Sequence, residues 1–279
     1  METNTEYHAD TDHIGSSMLR DATESLDKFR RLHIDKTEQK EETDAMRFGT
    51  LFHTAVLEPE RLDLDYIIEP DWNAIIRKKD GGQYASVRST KDFKAAYAEW
   101  LEENGTRQPV TAENMASAVA MALAVNRNNV ARSTIKMCDH TETSIRWDVE
   151  GTQFKGKCRP DKHGVDMGII VDLKSAEEPT PGPWDRKSFD FGYHQQAAWY
   201  IDGLTAETGI KSWVFYFIVV GKKPPRNVYV RQLSQDAIDI GRRINNETLD
   251  QLQAATEYND WRQPEEKEVT EIIKPAWVK

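Results

Sequence analysis

The stretch Gly168-Ile169-Ile170-Val171-Asp172-Leu173-Lys174 predicts a buried β-strand that ends in an Asp-x-Lys triplet. Side chains alternate between the two faces of a strand, so Asp172 and Lys174 project from the same side. The other face carries three apolar side chains and is predicted to contact a core: Ile169, Val171 and Leu173. The strand therefore delivers one carboxylate and one ammonium to a single pocket.

A second carboxylate precedes this strand in the triplet Arg159-Pro160-Asp161. Asp161 reaches the same pocket if residues 152–162 and 168–174 pair as a hairpin that turns at His163-Gly164. Two carboxylates can hold Mg²⁺, which acts as a Lewis acid on a phosphodiester and activates the attacking water. In such a site Lys174 orients or helps to deprotonate that water, and the backbone carbonyl of Leu173 is a further candidate ligand.

Two helical pairs offer further candidate site residues. His53 follows Gly49 by one helical turn in a helix predicted over 44–58, so a ligand can approach the imidazole across the glycine. Without other context, a histidine at the edge of the core explains the same pattern. Gln196 and Tyr200 also share one helical face, where they can contact a scissile phosphate or its neighbours. An amphipathic helix with an aromatic anchor is the alternative.

Two further features leave their role open. Glu142 is placed at the start of the first strand of the central block, where it is either an outer acidic ligand or a solvated strand end. The irregular segment 70–90 is rich in basic residues that suit DNA phosphates, although such loops also arise by chance. Its candidate contacts are Arg77, Lys78, Lys79 and Arg88.

Composition limits the function classes. The chain has 279 residues and a net charge of −10, which argues against a generally basic nucleic-acid binder. It contains no apolar run long enough for a membrane span and no recognisable targeting segment, so a cytoplasmic protein is expected. The two cysteines, Cys138 and Cys158, form no CxxC pair, which favours free thiols in a reducing compartment.

The order of predicted elements indicates an α/β protein with a central mixed sheet flanked by helices and with helical additions at the N-terminus. We expect a flexible leader over 1–15 and a single domain over 16–279. Within that domain, a helical part covers 16–140, the core sheet and helices cover 141–261, and a C-terminal tail covers 262–279. A helix from Ser16-Ser17 to about Leu32 and one over about 188–204 are among the predicted elements.

Taken together, the motifs resemble a known family. Gly49-x-x-x-His53, Arg159-Pro160-Asp161, Asp172-x-Lys174 and Gln196-x-x-x-Tyr200 occur in the order of the RecB-like branch of the PDDEXK nucleases, which have a restriction-endonuclease-like core. The chain is most similar to RecE exonuclease (exodeoxyribonuclease VIII) and its phage-borne relatives, over roughly residues 13–235. The run Val56-Leu57-Glu58-Pro59-Glu60 carries this narrower resemblance most closely.

The resemblance implies an activity and a role for each residue. It implies a hydrolase that degrades linear double-stranded DNA 5′→3′ and leaves 3′ single strands for recombination. His53, Asp161 and Asp172 would bind Mg²⁺, for which Mn²⁺ substitutes, Lys174 would serve the water, and Gln196 and Tyr200 would align the substrate. At the position of Asp172 much of the superfamily has Glu, whereas RecE-like members resemble this chain in having Asp. One RecB-like subgroup holds an iron–sulfur cluster on four cysteines. Because this chain has only two cysteines, no cluster is expected.

The resemblance also implies partners and a setting. Relatives form closed rings that thread DNA and act with a single-strand annealing protein, in a bacterial host or prophage. A ring would reconcile an acidic chain with DNA, because only the inner channel need be positive. Two alternatives stay open: an endonuclease on the same fold, and a non-catalytic DNA-binding or assembly protein that keeps the scaffold.

Overall fold

The computed structural model describes residues 2, 4–78, 80–262, 269 and 271. Helices dominate the first half of the chain and strands the middle. The helices are α1 Asn4–Ala9, α2 Ser16–Glu24, α3 Leu26–Phe29, α4 Asp44–Leu57, α5 Leu62–Asp65, α6 Trp72–Ile75, α7 Lys91–Asn104, α8 Ala112–Arg127, α9 Asn129–Lys136, α10 Pro183–Asp190, α11 Tyr193–Thr208 and α12 Gln235–Tyr258. The strands are β1 Tyr66–Ile68, β2 Gln108–Val110, β3 His140–Thr141, β4 Ile145–Asp148, β5 Lys155–Cys158, β6 Lys162–Gly164, β7 Ile169–Ala176, β8 Val214–Gly221 and β9 Val228–Gln232.

A five-stranded mixed sheet in the order β3-β6-β7-β8-β9 forms the centre. Its one parallel pair is β7 with β8, and the chain crosses between them through α10 and α11. The other neighbours in this sheet are antiparallel. Two short two-stranded sheets, β1-β2 and β4-β5, lie beside it. The predicted α/β class with a mixed sheet flanked by helices is thus confirmed.

Strand β7 lies in the middle of this sheet, and both of its faces are covered. Ile170 belongs to a core cluster built with α11 and α12, whereas Ile169, Val171 and Leu173 pack with Phe52 of α4. A strand that is buried on both faces consists almost entirely of apolar residues. In 168–173 only Asp172 interrupts such a run. The predicted division of side chains between the two faces is confirmed.

The predicted hairpin is partly wrong. Strand β6 does pair with β7, but His163 and Gly164 lie within β6, and the turn occupies 165–168. Gly168 has φ +61°, so the left-handed residue that closes the turn lies at its end. The preceding segment leaves the hairpin altogether, because β5 pairs with β4 instead. The Pro160 that separates β5 from β6 has no N–H, which prevents continuous strand pairing there.

Two predicted helices are divided. The helix predicted from 16 to about 32 begins after Gly15, breaks at Ser25 and ends in a π-helical turn, Arg30–Ile34. Ser25 is extended and its hydroxyl accepts from the Lys28 N–H, so it caps a new helix. The helix predicted over 188–204 is divided between α10 and α11, because Gly192 adopts a left-handed conformation with φ +69°.

The N-terminal residues include the helix α1, in which Tyr7 is 9% exposed. Arg146 of β4 pairs with Asp10 at 2.8 Å and with Glu2 at 2.5 Å. Neither these contacts nor the fold test the predicted flexibility of 1–15 or the division of 16–279, which stay predictions. Most of the predicted tail, 262–279, lies outside the described residues. Among those that are described, no helix combines the length and the apolar character that a membrane crossing requires.

One tryptophan connects the small sheet to the main body. Trp147 of β4 packs on Trp199 of α11, with ring centroids 4.9 Å apart. Two glycines make room for its indole, since a Cβ at Gly156 or Gly203 would overlap the ring. The β4-β5 pair is thereby fixed on α11, the same helix that brings Gln196 to the sheet.

Candidate metal centre

The peptide group of Leu173 lies at the middle of the candidate site. Its N–H donates to Asp161 Oδ2 at 2.5 Å, and its carbonyl lies 3.0 Å from His53 Nε2. The other ring nitrogen, His53 Nδ1, is 3.2 Å from Asp161 Oδ1. The structure therefore brings together His53 from α4, Asp161 from the start of β6 and the backbone of β7, as the sequence predicts.

Glu142 completes a cluster of three potential ligands. One ligand atom from each of His53, Glu142 and Asp161 lies within 4.8 Å of the other two. Glu142 follows β3 instead of beginning a strand, so that part of the prediction is wrong. Its backbone has φ +48°, and its N–H donates to the Asp161 carbonyl at 3.1 Å. Glu142 therefore lies beside His53 and Asp161, and its predicted role as an outer acidic ligand stays a prediction.

Asp172 lies beside this cluster with its own partners. Its Oδ2 is 2.5 Å from Lys174 Nζ, and its Oδ1 accepts from Gln196 Nε2 at 3.0 Å. The same Gln196 nitrogen is 3.1 Å from the Tyr200 hydroxyl. The predicted set of Asp172, Lys174, Gln196 and Tyr200 is thus contiguous in space. Its members' roles stay predictions.

Burial and charge shift the pKa values in this site. Burial raises the pKa of Asp172 to about 6, with the Asp161 charge adding to it and the Lys174 ammonium opposing it. Burial and Asp161 likewise raise the pKa of Glu142 to about 7. Burial lowers the pKa of His53, but the Asp161 carboxylate outweighs it and raises that pKa to about 9. Carboxylates this close disfavour one another's charge, which a cation between them would relieve.

Two residues that contact the site were not predicted from the sequence to belong to it. Arg159 donates from Nε to Glu142 Oε2 at 2.9 Å, and Tyr193 places its ring 4.6 Å from Lys174 Nζ. A signal for Tyr193 was available, since it precedes Gln196 and Tyr200 by three and seven residues on one helical face. For Arg159 the only signal was its place in the triplet with Asp161.

The basic loop is separate from these contacts. Arg88 pairs with Glu69 at 2.6 Å and lies over the Phe93 ring, whereas Lys78 lies over Tyr84. Arg77 is exposed and donates to the Ala74 carbonyl at 3.4 Å. Lys79 lies outside the described residues. In the rest of the loop no contact to the candidate ligands is observed, and its proposed role toward DNA phosphates stays a prediction.

Comparison with known proteins places this site in a family. Residues 15–274 match the model of a family described as a PDDEXK-like domain of unknown function, DUF3799. The chain belongs to this family. A search of curated proteins finds no match.

Solved structures support the same fold. A crystal structure from Eubacterium rectale, described as a candidate exonuclease, is similar with a TM-score of 0.60 and 14% identity. The similarity covers 99% of this chain and 95% of that one. At such an identity it shows the fold alone. The structure of SSO0001 is also similar, at 14% identity over 75% of this chain and 88% of that one, but its TM-score of 0.28 carries no argument.

The donor set fits a hard divalent cation. Carboxylate oxygens and a carbonyl are what Mg²⁺ and Mn²⁺ prefer. His53 is protonated at neutral pH in the metal-free protein, so its imidazole joins the donor set only when a cation displaces the proton. Asp161 is 6% exposed and its pKa is lowered, since the effect of burial is outweighed by His53 and Lys174, so its carboxylate is ionised at neutral pH and available to a cation. Arg159 and the Leu173 N–H each donate a hydrogen bond to a carboxylate of the candidate ligands, Glu142 and Asp161, as outer partners of metal sites commonly do.

Proposed function

We propose that the protein is a Mg²⁺-dependent exonuclease that degrades linear double-stranded DNA from 5′ ends and leaves 3′ single strands for recombination. One observation supports a metal-dependent nuclease: His53, Glu142 and Asp161 lie close together, beside the Asp172–Lys174 pair. The family match and the description of the Eubacterium rectale structure support this class. The direction, the recombination role, a ring and an annealing partner rest on the RecE-like motif order.

Each site residue has a defined task in this proposal. Asp161, His53, Asp172 and the Leu173 carbonyl would hold the cation, and Glu142 would be a further acidic ligand. The bound cation would supply Lewis-acid activation of the phosphodiester and of water. Lys174 Nζ, held between Asp172 and the Tyr193 ring, would orient the nucleophilic water. Gln196 fixes the Asp172 carboxylate through its amide and is itself positioned by Tyr200.

Linear duplexes labelled at either the 5′ or the 3′ end test the proposal. With Mg²⁺ or Mn²⁺, we expect the 5′ label to be released first and the 3′ label to persist on the remaining single strands. With a chelator, we expect no degradation. Release of the 3′ label first would refute the direction, and degradation in the chelator would refute the metal requirement.

Matched variants test the site itself. Lys174→Met and Asp161→Asn keep size and shape and are expected to lose at least about a thousandfold in rate. The first removes the ammonium that orients the water, and the second removes an anionic ligand of the cation that stabilises charge on the phosphate. Lys211→Met and Asp250→Asn remove the same charges at exposed positions, and we expect wild-type rates from both. Wild-type activity in Lys174→Met or Asp161→Asn would refute the assignment.

Two alternatives have distinct outcomes in the same assays. An endonuclease on this fold would nick or linearise a closed circular plasmid, which an exonuclease leaves intact. A non-catalytic DNA-binding protein would shift DNA in a gel and leave every substrate whole. Analytical ultracentrifugation with and without DNA measures whether a ring forms.

A further inference from the structure

The N-terminal helix α1 contacts Lys157 and Arg159, and Arg159 donates to Glu142 of the candidate metal centre. Lys157 of β5 is 4% exposed, and its Nζ donates to the carbonyls of Tyr7 at 2.7 Å and Asp10 at 2.5 Å. These carbonyls belong to the C-terminal end of the helix, where a cation is favourable. The same ammonium lies 4.6 Å from the centroid of the Tyr7 ring. The ring of Tyr7 is therefore fixed against the sheet.

The Tyr7 ring also contacts the arginine that holds Glu142. Arg159 Cζ is 5.9 Å from the ring centroid, within the range of a cation–π contact. The Arg159 side chain is 8% exposed and donates from Nε to Glu142 Oε2 at 2.9 Å. Among the described residues, no group accepts a hydrogen bond from its Nη1. The buried guanidinium thus contacts the Glu142 carboxylate on one side and the Tyr7 ring on another.

From these contacts we infer that Tyr7 is a positioning residue for the metal centre and that it acts on Glu142 through Arg159. The inference rests on the proposed function, because it takes the cluster of His53, Glu142 and Asp161 as the cation site. Replacing the ring by an aliphatic side chain would leave Arg159 without its aromatic neighbour. Its guanidinium would then reorient toward other acceptors, and Glu142 would lose its fixed orientation toward His53 and Asp161.

Tyr7→Leu and Tyr7→Phe form a matched pair, because both are apolar and only the second keeps the aromatic face. Mn²⁺ binding to the full chain is measured by isothermal titration calorimetry, without DNA. We expect Tyr7→Leu to weaken Mn²⁺ affinity about three- to tenfold, below the effect typical of a direct outer partner of a ligand. Tyr7→Phe is expected to bind like wild type.

A double-mutant cycle distinguishes positioning from a general loss of structure. In a Glu142→Gln background the carboxylate on which Tyr7 acts is gone, so we expect Tyr7→Leu to have no further effect on Mn²⁺ affinity. An equal loss of affinity in both backgrounds would overturn the inference, as would an unchanged affinity in Tyr7→Leu alone. If Tyr7→Leu fails to fold, Tyr7→Met removes the same ring with a more adaptable side chain.

The outcome is distinguishable from that of the proposed function. Wild-type protein that binds Mn²⁺ and leaves labelled duplexes intact would refute the nuclease and leave the cycle interpretable. Wild-type protein that degrades DNA while Tyr7→Leu binds Mn²⁺ normally would refute the role of Tyr7 alone. Wild-type protein that binds no Mn²⁺ would overturn the inference.

Discussion

Replacing Asp172 by asparagine is expected to abolish DNA degradation and at the same time to stabilise the metal-free protein. Asp172 is 2% exposed and lies beside Asp161, so its ionised form is disfavoured before a cation binds. Asparagine mimics the protonated carboxyl in size and lacks the charge. Its amide can donate to Gln196 if that side chain turns over, and Tyr200 can then donate to the same Gln196 oxygen.

The magnitude follows from the pKa of Asp172, which is raised from 3.8 to about 6. The attraction of Lys174 is already part of this shift. The raised pKa therefore means that the negative charge of Asp172 is, on balance, unfavourable in the folded protein. One unit of pKa corresponds to about 1.4 kcal/mol, so ionisation at neutral pH costs the folded protein about 3 kcal/mol at most. The substitution also leaves the Lys174 ammonium without its nearest carboxylate, which makes the gain smaller than this limit. We therefore expect the free energy of unfolding to rise by about 1–3 kcal/mol.

The dependence on pH has a definite sign. A raised pKa in the folded state means that the folded protein binds the proton more tightly than the unfolded chain. This contribution to stability is complete below the unfolded value of 3.8 and is lost as the pH rises through about 6. The advantage of Asp172→Asn over wild type should therefore be largest above about pH 6 and vanish near pH 4.

Urea unfolding in EDTA, followed by far-ultraviolet circular dichroism at several pH values, measures this difference. Excess Mg²⁺ should reduce or reverse it, because only the wild type gains the full cation affinity. Asp250→Asn, an exposed substitution on α12, is the control and should change neither quantity. A loss of more than about 1 kcal/mol in Asp172→Asn at pH 7.5 in EDTA would show that the Asp172–Lys174 pair is net stabilising and refute the reasoning.

Three further predictions concern packing and burial. Gly203→Ala should lower the free energy of unfolding by about 1–3 kcal/mol in urea titrations, since its Cβ would overlap the Trp147 ring; no loss would mean that the indole moves easily. Gly49→Ala should instead raise it by about 0.5–1 kcal/mol, because nothing lies within 4 Å of the added Cβ in helix α4; a decrease in the same titration would contradict this. Burial and the neighbouring His140 lower the pKa of His163 to about 4, so its contribution is present above pH 6.5 and is lost as the pH falls toward 4. His163→Leu should therefore lose about 1–3 kcal/mol less than wild type over that interval in urea titrations, and an unchanged pH dependence would argue against a neutral buried His163.

The strand with the Asp-x-Lys triplet could be predicted because its pattern is local. Alternation along 168–174 fixes which side chains share a face, and burial on both sides follows from the apolar run. The pairing of β5 could not be predicted in this way. Trp147 of β4 packs between Gly156 of β5 and the residues Trp199 and Gly203 of α11, and these contacts with α11 are distant in sequence.

The role of Glu142 shows a second limit. Its local sequence, Thr141-Glu142-Thr143, is equally suited to a solvated strand end. Its placement in the cluster depends on a positive φ and on a buried arginine seventeen positions later. The order of His53, Asp161, Asp172 and Lys174 carried most of the site, because each belongs to a short motif with its own spacing.

The central position of the Leu173 peptide has a consequence for how this site can be dissected. Its N–H fixes Asp161 and its carbonyl contacts His53, whereas its side chain only fills the core. A scan that replaces side chains would classify residue 173 as a packing position and miss its share in the chemistry. An amide-to-ester replacement that removes this one N–H, introduced by chemical ligation, would reveal how far the backbone itself holds the candidate metal centre together.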